Sequence, residues 1–159
     1  MDVTEDERIS LHHYSADGYR AINSALRSVR PEEAHTIAHV AQIDAAIARH
    51  PLQDALVVYR GIGAAHAIQL ENDGLMVDTL IFNPAFTSTS RSIDQARQFL
   101  EPLGLLFRIA LPRSGLGLDM VPFAEYPSEE ETLCPRRMSL RITGYDMIAD
   151  MVEAEVIYG

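Results

Sequence analysis

The sequence predicts an α+β fold with an antiparallel or mixed sheet, because helical periodicity dominates its first third and short β-rich runs dominate the rest. A parallel doubly wound sheet would require strands and helices in regular alternation. The glycine pattern agrees, since Gly61 and Gly63 begin a dinucleotide-binding motif whose third glycine position holds His66. A length of 159 residues without linker or repeat predicts one domain, residues 1–159.

Two helices are predicted at the start of the chain. Apolar and aromatic residues at three-to-four spacing run from Leu11 to Val29, and Pro31 stops that helix. Pro31 and the acidic residues after it then open a second helix, which ends near His50 because Pro51 follows.

The rest of the chain is predicted to be strands with one further helix. Ser92–Leu100 has an apolar face at helical spacing, and Ser92 is suited to cap its first turn. Short runs rich in β-branched, aromatic and aliphatic residues predict the strands. These runs are Ala55–Tyr59, Leu75–Phe82, Leu105–Leu111, Leu116–Met120, Met138–Thr143 and Met151–Tyr158.

The composition excludes several classes of function. Thirteen arginines and no lysine stand against 23 acidic residues, so the net charge of −10 repels phosphate backbones and no nucleic-acid partner is expected. Without lysine, Schiff-base chemistry and the Walker A loop are excluded. The single Cys134 forms no intrachain disulfide. Residues 1–10 lack the apolar core of a Sec signal, and Leu103–Leu111 is too short to span a bilayer, so no membrane partner is expected.

The histidines do not predict a metal site. His35 and His39 lie four residues apart, on one helix face, but no glutamate stands beside them in the arrangement of zinc proteases. His12 and His13 are adjacent and cannot share a helix face. We therefore expect surface or packing roles for these histidines and no metal. A Gly-x-Ser-x-Gly motif for a nucleophilic serine is also absent from the sequence.

Glu129 and Glu131 form the first of three segments that could carry chemistry. They follow a turn at Pro127–Ser128, and residues two apart on a strand face the same side. Their carboxylates could then stabilise a cationic transition state and orient a nucleophile. The same acidic run could instead be a solvated turn.

The other two segments also have two interpretations each. The hydroxyl-rich run Phe86–Ser90 lies between a strand and a helix, so it could cap the helix or position a ligand. Arg60 closes an apolar strand and precedes Gly61. Its guanidinium could bind a diphosphate or form a salt bridge at a strand edge.

Taken in order, the three segments resemble a family signature. Tyr59–Gly61 is aromatic-Arg-Gly, Ser88–Ser90 is Ser-Thr-Ser, and Glu129–Glu131 is Glu-x-Glu. This order and spacing is similar to the mono-ADP-ribosyltransferases of the arginine-modifying, iota-toxin-like class, and the likeness extends along most of the chain.

The resemblance implies an ADP-ribosyltransferase-like core of two small, roughly perpendicular sheets with N-terminal helices, and NAD as the substrate. Arg60 would contact the NAD phosphates or ribose, and the Gly61 backbone would hold the nicotinamide carboxamide. Ser88 would orient the catalytic Glu131, whose charge would stabilise the oxocarbenium-like transition state. Glu129 would bind the incoming arginine guanidinium and help it lose a proton.

Further cleft residues follow from the same resemblance. Thr89 and Ser90 would support the strand and the cofactor. The first helix would line the cleft with Tyr14, Tyr19 and Asn23. The family places an aromatic residue that stacks on nicotinamide at about the position of Phe99. Phe99 could instead belong to the apolar face of the helix at 92–100.

A loop before the glutamates would recognise the target protein. This loop, Met120–Ser128, carries Phe123 and Tyr126, and aromatic residues dominate contact energies. The family often has a second arginine near the Ser-Thr-Ser segment, and Arg91 and Arg97 are both candidates for it.

The partners implied are a target protein with a reactive arginine and a cognate immunity protein that covers the active site. The resemblance also implies a bacterial toxin domain, delivered by a dedicated secretion system to act in the cytosol of a target cell. Two other functions stay open: an NAD glycohydrolase, in which water replaces arginine, and a catalytically silent NAD- or protein-binding module on the same fold.

Overall fold

A computed structural model describes residues 1–28 and 33–159, and the predicted α+β class is confirmed. The described helices are α1 (Glu5–His13), α2 (Tyr19–Arg27), α3 (Ala34–Arg49), α4 (Ala64–Asn72) and α5 (Ile93–Gln98). The described strands are β1 (Leu56–Ile62), β2 (Leu80–Asn83), β3 (Thr87–Ser90), β4 (Leu105–Leu111), β5 (Leu118–Asp119), β6 (Glu131–Cys134), β7 (Met138–Asp146) and β8 (Met151–Ile157).

The first helix begins earlier than the apolar pattern predicts, because a capping box starts it. The Thr4 hydroxyl accepts a hydrogen bond from the Glu7 amide, and the Glu7 carboxylate accepts one from the Thr4 amide. Glu7 is buried, and both its oxygens accept from the Arg49 guanidinium at the end of α3, at 2.6 and 2.7 Å. One side chain thus fixes α1 against α3. The predicted stop at Pro31 lies outside the described residues.

A π-helical turn, Tyr14–Gly18, joins α1 to α2. Glycine is favoured at its end, because a Cβ on Gly18 would clash with the His13 ring and lie 2.8 Å from the His13 carbonyl oxygen. Turns of this kind are frequent at functional sites. Here the wide turn directs the Tyr14 ring inward, where the residue is 1% exposed.

The strands form one mixed sheet in the order β2-β7-β8-β4-β1-β3-β6-β5, in which β4 and β8 run parallel. Along β1 and β4 seven residue pairs are in register, from Leu56↔Leu111 to Ile62↔Leu105. Between β1 and β3 the register has the single pair Tyr59↔Ser90. The sheet therefore consists of a group of five strands, β2 to β1, and a group of three, β3 to β5, joined through one residue pair. These two groups correspond to the two small sheets that we expected.

Several elements differ from the sequence prediction. Helix α4 was not predicted, because Ala67 is its one buried residue and its apolar pattern is weak. Strand β3 was not among the predicted strands, yet it lies between β1 and β6 in the sheet. Strand β1 continues past Tyr59 and so places Arg60 and Gly61 inside a strand.

The two larger of the three described hydrophobic cores pack against the sheet. One core packs the helices on the small strand group and includes Leu11, Ile43, Phe86 and Leu133. The other packs the larger strand group and includes Val58, Phe107, Ile109 and Cys134. Burial raises the pKa of the Cys134 thiol to about 12. Among the described helices, none has the length and apolarity needed to cross a membrane.

Candidate active site

A cleft of about 310 Å³ opens where β1 and β3 separate beyond their single pair. The size lies at the lower end of the range for small-molecule sites. It brings together all three segments singled out in the sequence. Its lining residues are Tyr14, Ser15, Ala16, Tyr19, Tyr59, Arg60, Gly61, Ser88, Thr89, Ser90, Ala96, Phe99, Tyr126, Glu129 and Glu131.

Glu129 and Glu131 both line the cleft, but strand alternation is not the reason. Glu129 ends a 3₁₀ turn at Pro127–Glu129, and Glu131 begins β6. Between them Glu130 adopts a left-handed conformation with φ of 48° and is exposed. The reversal at Glu130 therefore brings the two carboxylates to one side, and the predicted strand alternation is wrong for this pair.

The two cleft carboxylates have raised pKa values. Burial is the largest cause for Glu131, the negative charge of Glu129 adds to it, and a hydrogen bond from Ser88 opposes it. Burial also raises the pKa of Glu129. A carboxylate that is costly to ionise and lies in a cleft is typical of a catalytic site.

Ser88 shares a sheet face with Glu131. In the antiparallel pair of β3 and β6, Ser90 lies opposite Glu131 and Ser88 opposite Leu133. Ser88 is thus the diagonal neighbour of Glu131 on the same face. Its interaction with the carboxylate, which lowers the Glu131 pKa, agrees with this placement.

Thr89 and Ser90 use their hydroxyls to hold backbone. Thr89 donates to the Thr132 carbonyl at 2.7 Å, on the sheet face opposite Ser88. Ser90 donates to the Glu129 carbonyl at 2.7 Å and accepts from the Ser92 amide at 3.0 Å. Ser92 in turn caps α5, as predicted. The hydroxyl-rich segment therefore supports the turn that carries Glu129, and its contact with a cofactor stays a prediction.

Arg60 lies on an interior strand, so it is not at a strand edge. One guanidinium nitrogen donates to the Ser88 carbonyl at 2.8 Å, and burial lowers the pKa of the group. Within residues 1–28 and 33–159 no carboxylate lies within ion-pair distance of it. The salt-bridge interpretation is therefore wrong, and the remaining guanidinium donors are free to bind an anion in the cleft.

Gly61 lies closely against α5. A Cβ there would lie 3.2 Å from the Ala96 carbonyl oxygen and 3.5 Å from Leu100. The close approach of α5 therefore favours glycine here, and the expected contact of the Gly61 backbone with nicotinamide stays a prediction. Gly61 still lines the cleft.

Asn23 does not line the cleft, in contrast to the sequence prediction. It is 8% exposed, and its amide nitrogen donates to the Tyr14 hydroxyl at 2.8 Å. Its edge reaches a neighbouring hollow beside Arg27. Tyr14 and Tyr19 line the cleft itself, the first buried and the second 37% exposed.

Phe99 lines the cleft as expected, whereas Phe123 is not at the surface where we expected it. Phe99 is 62% exposed at the end of α5 and lines the cleft, so the interpretation as an apolar helix face is wrong. Phe123 is 4% exposed and packs in the helical core, with the Arg8 guanidinium 5.4 Å from its ring centre. It therefore offers no ring to a target. Tyr126 is 60% exposed at the cleft rim.

The remaining candidates lie away from the cleft. Arg91 pairs with Asp119 at 2.9 Å, and neither Arg91 nor Arg97 is among the lining residues. His39 contacts the Ser10 hydroxyl at 2.8 Å, and its ring stacks on His13 with centres 4.4 Å apart. In the part of the chain that the structure describes, no group of three or more His, Cys, Asp or Glu side chains could hold a metal ion.

A family model described as ADP-ribosyltransferase exoenzyme matches residues 1–157. The chain belongs to the ADP-ribosyltransferase exoenzyme family. Its members are transferases, and the eight-stranded mixed sheet with N-terminal helices matches the ADP-ribosyltransferase toxin fold. A comparison with curated protein sequences finds no match.

Solved structures support this family fold. Plx2a, an ADP-ribosyltransferase toxin from Paenibacillus larvae, is 21% identical with a TM-score of 0.82, over 98% of this chain and 87% of that one. Exoenzyme S from Pseudomonas aeruginosa, in complex with human 14-3-3 protein beta and Carba-NAD, is 18% identical with a TM-score of 0.77, over 97% and 74%. The Vis ADP-ribosyltransferase of Vibrio splendidus, in complex with agmatine, is 21% identical with a TM-score of 0.79, over 99% and 76%.

Some lining residues of this ADP-ribosyltransferase fold were missed in the sequence. Ser15 and Ala16 belong to the π-helical turn, which three-to-four spacing cannot predict. Ala96 reaches the cleft because Gly61 lets α5 approach β1. Tyr59 could have been found, since it belongs to the aromatic-Arg-Gly segment that we identified.

Proposed function

We propose that this chain transfers ADP-ribose from NAD to an arginine of a target protein and releases nicotinamide. The observation that carries the proposal is that Arg60, Glu129 and Glu131 line one cleft. Arg60 lacks a carboxylate partner among the described residues. The cleft thus pairs a site for an anionic ligand with two carboxylates suited to a developing cation.

The residues present fit NAD. The free donors of Arg60 suit the diphosphate, since a guanidinium binds phosphate oxygens in pairs. The exposed ring of Phe99 and the backbone at Gly61 suit a flat aromatic carboxamide. The exoenzyme S structure of the same fold holds Carba-NAD, which supports the choice of this ligand.

Glu131 has the central role in the proposed reaction. As the bond between nicotinamide and ribose breaks, its electron pair leaves with nicotinamide and positive charge develops on the ribose. An ionised Glu131 stabilises that charge, which exists only in the transition state. Its raised pKa places the onset of activity above the usual range for glutamate, and Ser88 limits the increase.

Glu129 makes arginine the acceptor in this proposal. Its carboxylate accepts hydrogen bonds from the guanidinium and takes one proton as a guanidinium nitrogen bonds to the ribose carbon. Because its pKa is also raised by burial, it is a better proton acceptor than an ordinary glutamate. The Vis structure holds agmatine, a guanidine compound, and this supports a guanidinium acceptor on the same fold.

The biological setting is inferred from the same relatives. Plx2a and Vis are bacterial toxins, so we propose a bacterial toxin domain that a dedicated secretion system delivers to the cytosol of a target cell. A target protein would dock at the rim near Tyr126. A cognate immunity protein would protect the producing cell by covering the cleft.

The proposal is tested with purified chain, NAD labelled in its ADP-ribose part, and agmatine or cell lysate as acceptor. Labelled agmatine and labelled protein, with equal release of nicotinamide, are expected. Free ADP-ribose without labelled acceptor would make the chain an NAD glycohydrolase. If the folded protein forms neither labelled acceptor nor free ADP-ribose, the chain is a catalytically silent binding module. Mass spectrometry of the labelled protein identifies the modified residue, and any residue other than arginine overturns the acceptor assignment.

A further inference from the structure

A chain of polar contacts connects helix α2 to the cleft carboxylate. The Asn23 amide nitrogen donates to the Tyr14 hydroxyl at 2.8 Å. The Tyr14 hydroxyl lies 3.3 Å from the Ser88 hydroxyl oxygen. Ser88 interacts with Glu131, its diagonal neighbour on the same sheet face. Four residues from α2, the π-helical turn, β3 and β6 thus form one series.

The proton directions along this series follow from the donor inventory. A carboxylate only accepts, so a hydrogen bond between Ser88 and Glu131 uses the single hydroxyl proton of Ser88. The Ser88 oxygen is then free to accept, and the Tyr14 hydroxyl donates to it. Tyr14 can donate there because its own oxygen accepts from Asn23. Each hydroxyl therefore donates once, toward the carboxylate.

The Tyr14 hydroxyl is held away from bulk water. Tyr14 is 1% exposed, and its ring packs edge-on against Phe86 with centres 5.8 Å apart. Burial is the largest cause that raises the Tyr14 pKa, so the hydroxyl keeps its proton at neutral pH. Hydrogen bonds in such surroundings are stronger than in water and polarise one another.

We propose that Tyr14 is a positioning residue of the transferase reaction: it orients and polarises the Ser88 hydroxyl toward Glu131, and Asn23 sets the direction of the series. The inference rests on the proposed function for its kinetic consequences. It assigns Asn23 a role through Tyr14 instead of a place in the cleft wall. A role of Tyr14 in packing alone predicts a loss of stability without any effect on Glu131.

Tyr14→Phe tests the proposal because it removes one oxygen and keeps the buried ring. We expect kcat for NAD cleavage to fall about 3- to 10-fold with the KM for NAD nearly unchanged, the size expected for one hydrogen bond. We also expect the acidic limb of the pH–kcat profile to move to higher pH, since Glu131 loses part of its stabilisation as an anion. Tyr158→Phe is the matched control, because the Tyr158 hydroxyl bonds to the Leu116 backbone outside the cleft.

The Ser88→Ala variant shows whether Tyr14 acts on Glu131 through Ser88 or independently of it. If Tyr14 acts through Ser88, adding Tyr14→Phe to Ser88→Ala moves the acidic limb no further. If the shifts of the acidic limb in the two single variants add up in the double variant, the proposed series is wrong. A Tyr14→Phe variant with an unchanged pH profile would do the same, whatever its melting temperature.

The test also works without catalysis. The ¹³C signal of the Glu131 carboxyl, followed from pH 3 to 9, reports its pKa directly in each variant. Wild-type protein that cleaves no NAD would contradict the proposed function, and the titration would still decide the role of Tyr14. A Glu131 pKa that is the same in wild type and in Tyr14→Phe overturns the inference.

Discussion

The Arg60 guanidinium donates a 2.8 Å hydrogen bond to the Ser88 carbonyl oxygen, next to the point where β1 and β3 separate. The contact orients the anion-binding arginine and the strand that carries Ser88 relative to each other. Because Ser88 also interacts with Glu131, the phosphate-binding and bond-breaking parts of the proposed site share one rigid support.

Arg60→Lys should weaken NAD binding strongly. Lysine replaces a planar fork by a point charge on a flexible stem, so we expect a large increase in the KM for NAD. Loss of the bond to Ser88 should also lower the free energy of unfolding by about 1 kcal/mol. Saturating NAD should raise the melting temperature of the variant less than that of wild type.

Arg136→Lys is the control for Arg60, because Arg136 pairs with Asp44 at 2.9 Å away from the cleft. Its NAD-induced shift in melting temperature should equal that of wild type. If Arg60→Lys gave the same shift as well, Arg60 would not anchor the cofactor.

Glu131→Gln should abolish activity and stabilise the fold. Loss of the charge that offsets the oxocarbenium should reduce NAD cleavage and transfer together by about 100-fold or more. The Glu131 pKa is raised in the folded state, so the wild type loses stability as pH rises from the unfolded-state pKa through the folded-state pKa. Above the folded-state pKa that loss is complete, and glutamine does not have it.

We therefore expect a higher melting temperature for Glu131→Gln at pH 7, and a smaller difference from wild type near pH 4. Glu130→Gln is the control, because Glu130 is exposed and lies outside the cleft. Near-normal turnover in Glu131→Gln would remove Glu131 from the mechanism. A lower melting temperature at pH 7 would contradict the argument from burial.

Glu129→Gln should separate the two reactions of the site. Agmatine modification should fall by about 100-fold or more, because the guanidinium loses its proton acceptor. NAD hydrolysis should persist, because water needs less orientation than a guanidinium and Glu131 is intact. Product analysis with labelled NAD measures both. An equal loss of both reactions would show that Glu129 shares the role of Glu131.

The sequence predicted which residues line the cleft better than it predicted the backbone that places them there. Arg60, Ser88 and Glu131 are far apart in the chain, and their meeting depends on the pairing of β3 with both β1 and β6. Spacing alone does not encode that pairing, which the family resemblance supplied. Glu129 lies in the cleft because of a 3₁₀ turn and the left-handed conformation of Glu130. That conformation is uncommon for glutamate and was not predicted.

Other differences between the sequence prediction and the structure have local structural reasons. The Thr4–Glu7 capping box was readable in the sequence as Thr-x-x-Glu, so the earlier start of α1 could have been predicted. The π-helical turn changes the phase between α1 and α2, and the position of Asn23 could not be derived from regular helical spacing. A single aromatic residue in a loop has no periodicity, so no local sequence pattern indicates that Phe123 is buried.

Phe123 and Tyr126 should respond differently to alanine, although both lie before the glutamates. Phe123→Ala should lower the free energy of unfolding by about 3 to 5 kcal/mol, because it leaves a cavity in the helical core. Tyr126→Ala removes an exposed ring at the cleft rim and should leave stability within about 0.5 kcal/mol of wild type. Its expected effect is on protein modification, with hydrolysis of NAD and modification of agmatine retained.

Denaturant unfolding and labelling of a target lysate measure these two effects. A variant of Tyr126 that labels lysate proteins as well as wild type would exclude this ring from target recognition. A variant of Phe123 with normal stability and reduced labelling would contradict its burial and return it to the surface of the target loop. Because agmatine has no protein surface that could dock on the loop, its modification distinguishes a damaged cleft from a lost docking contact.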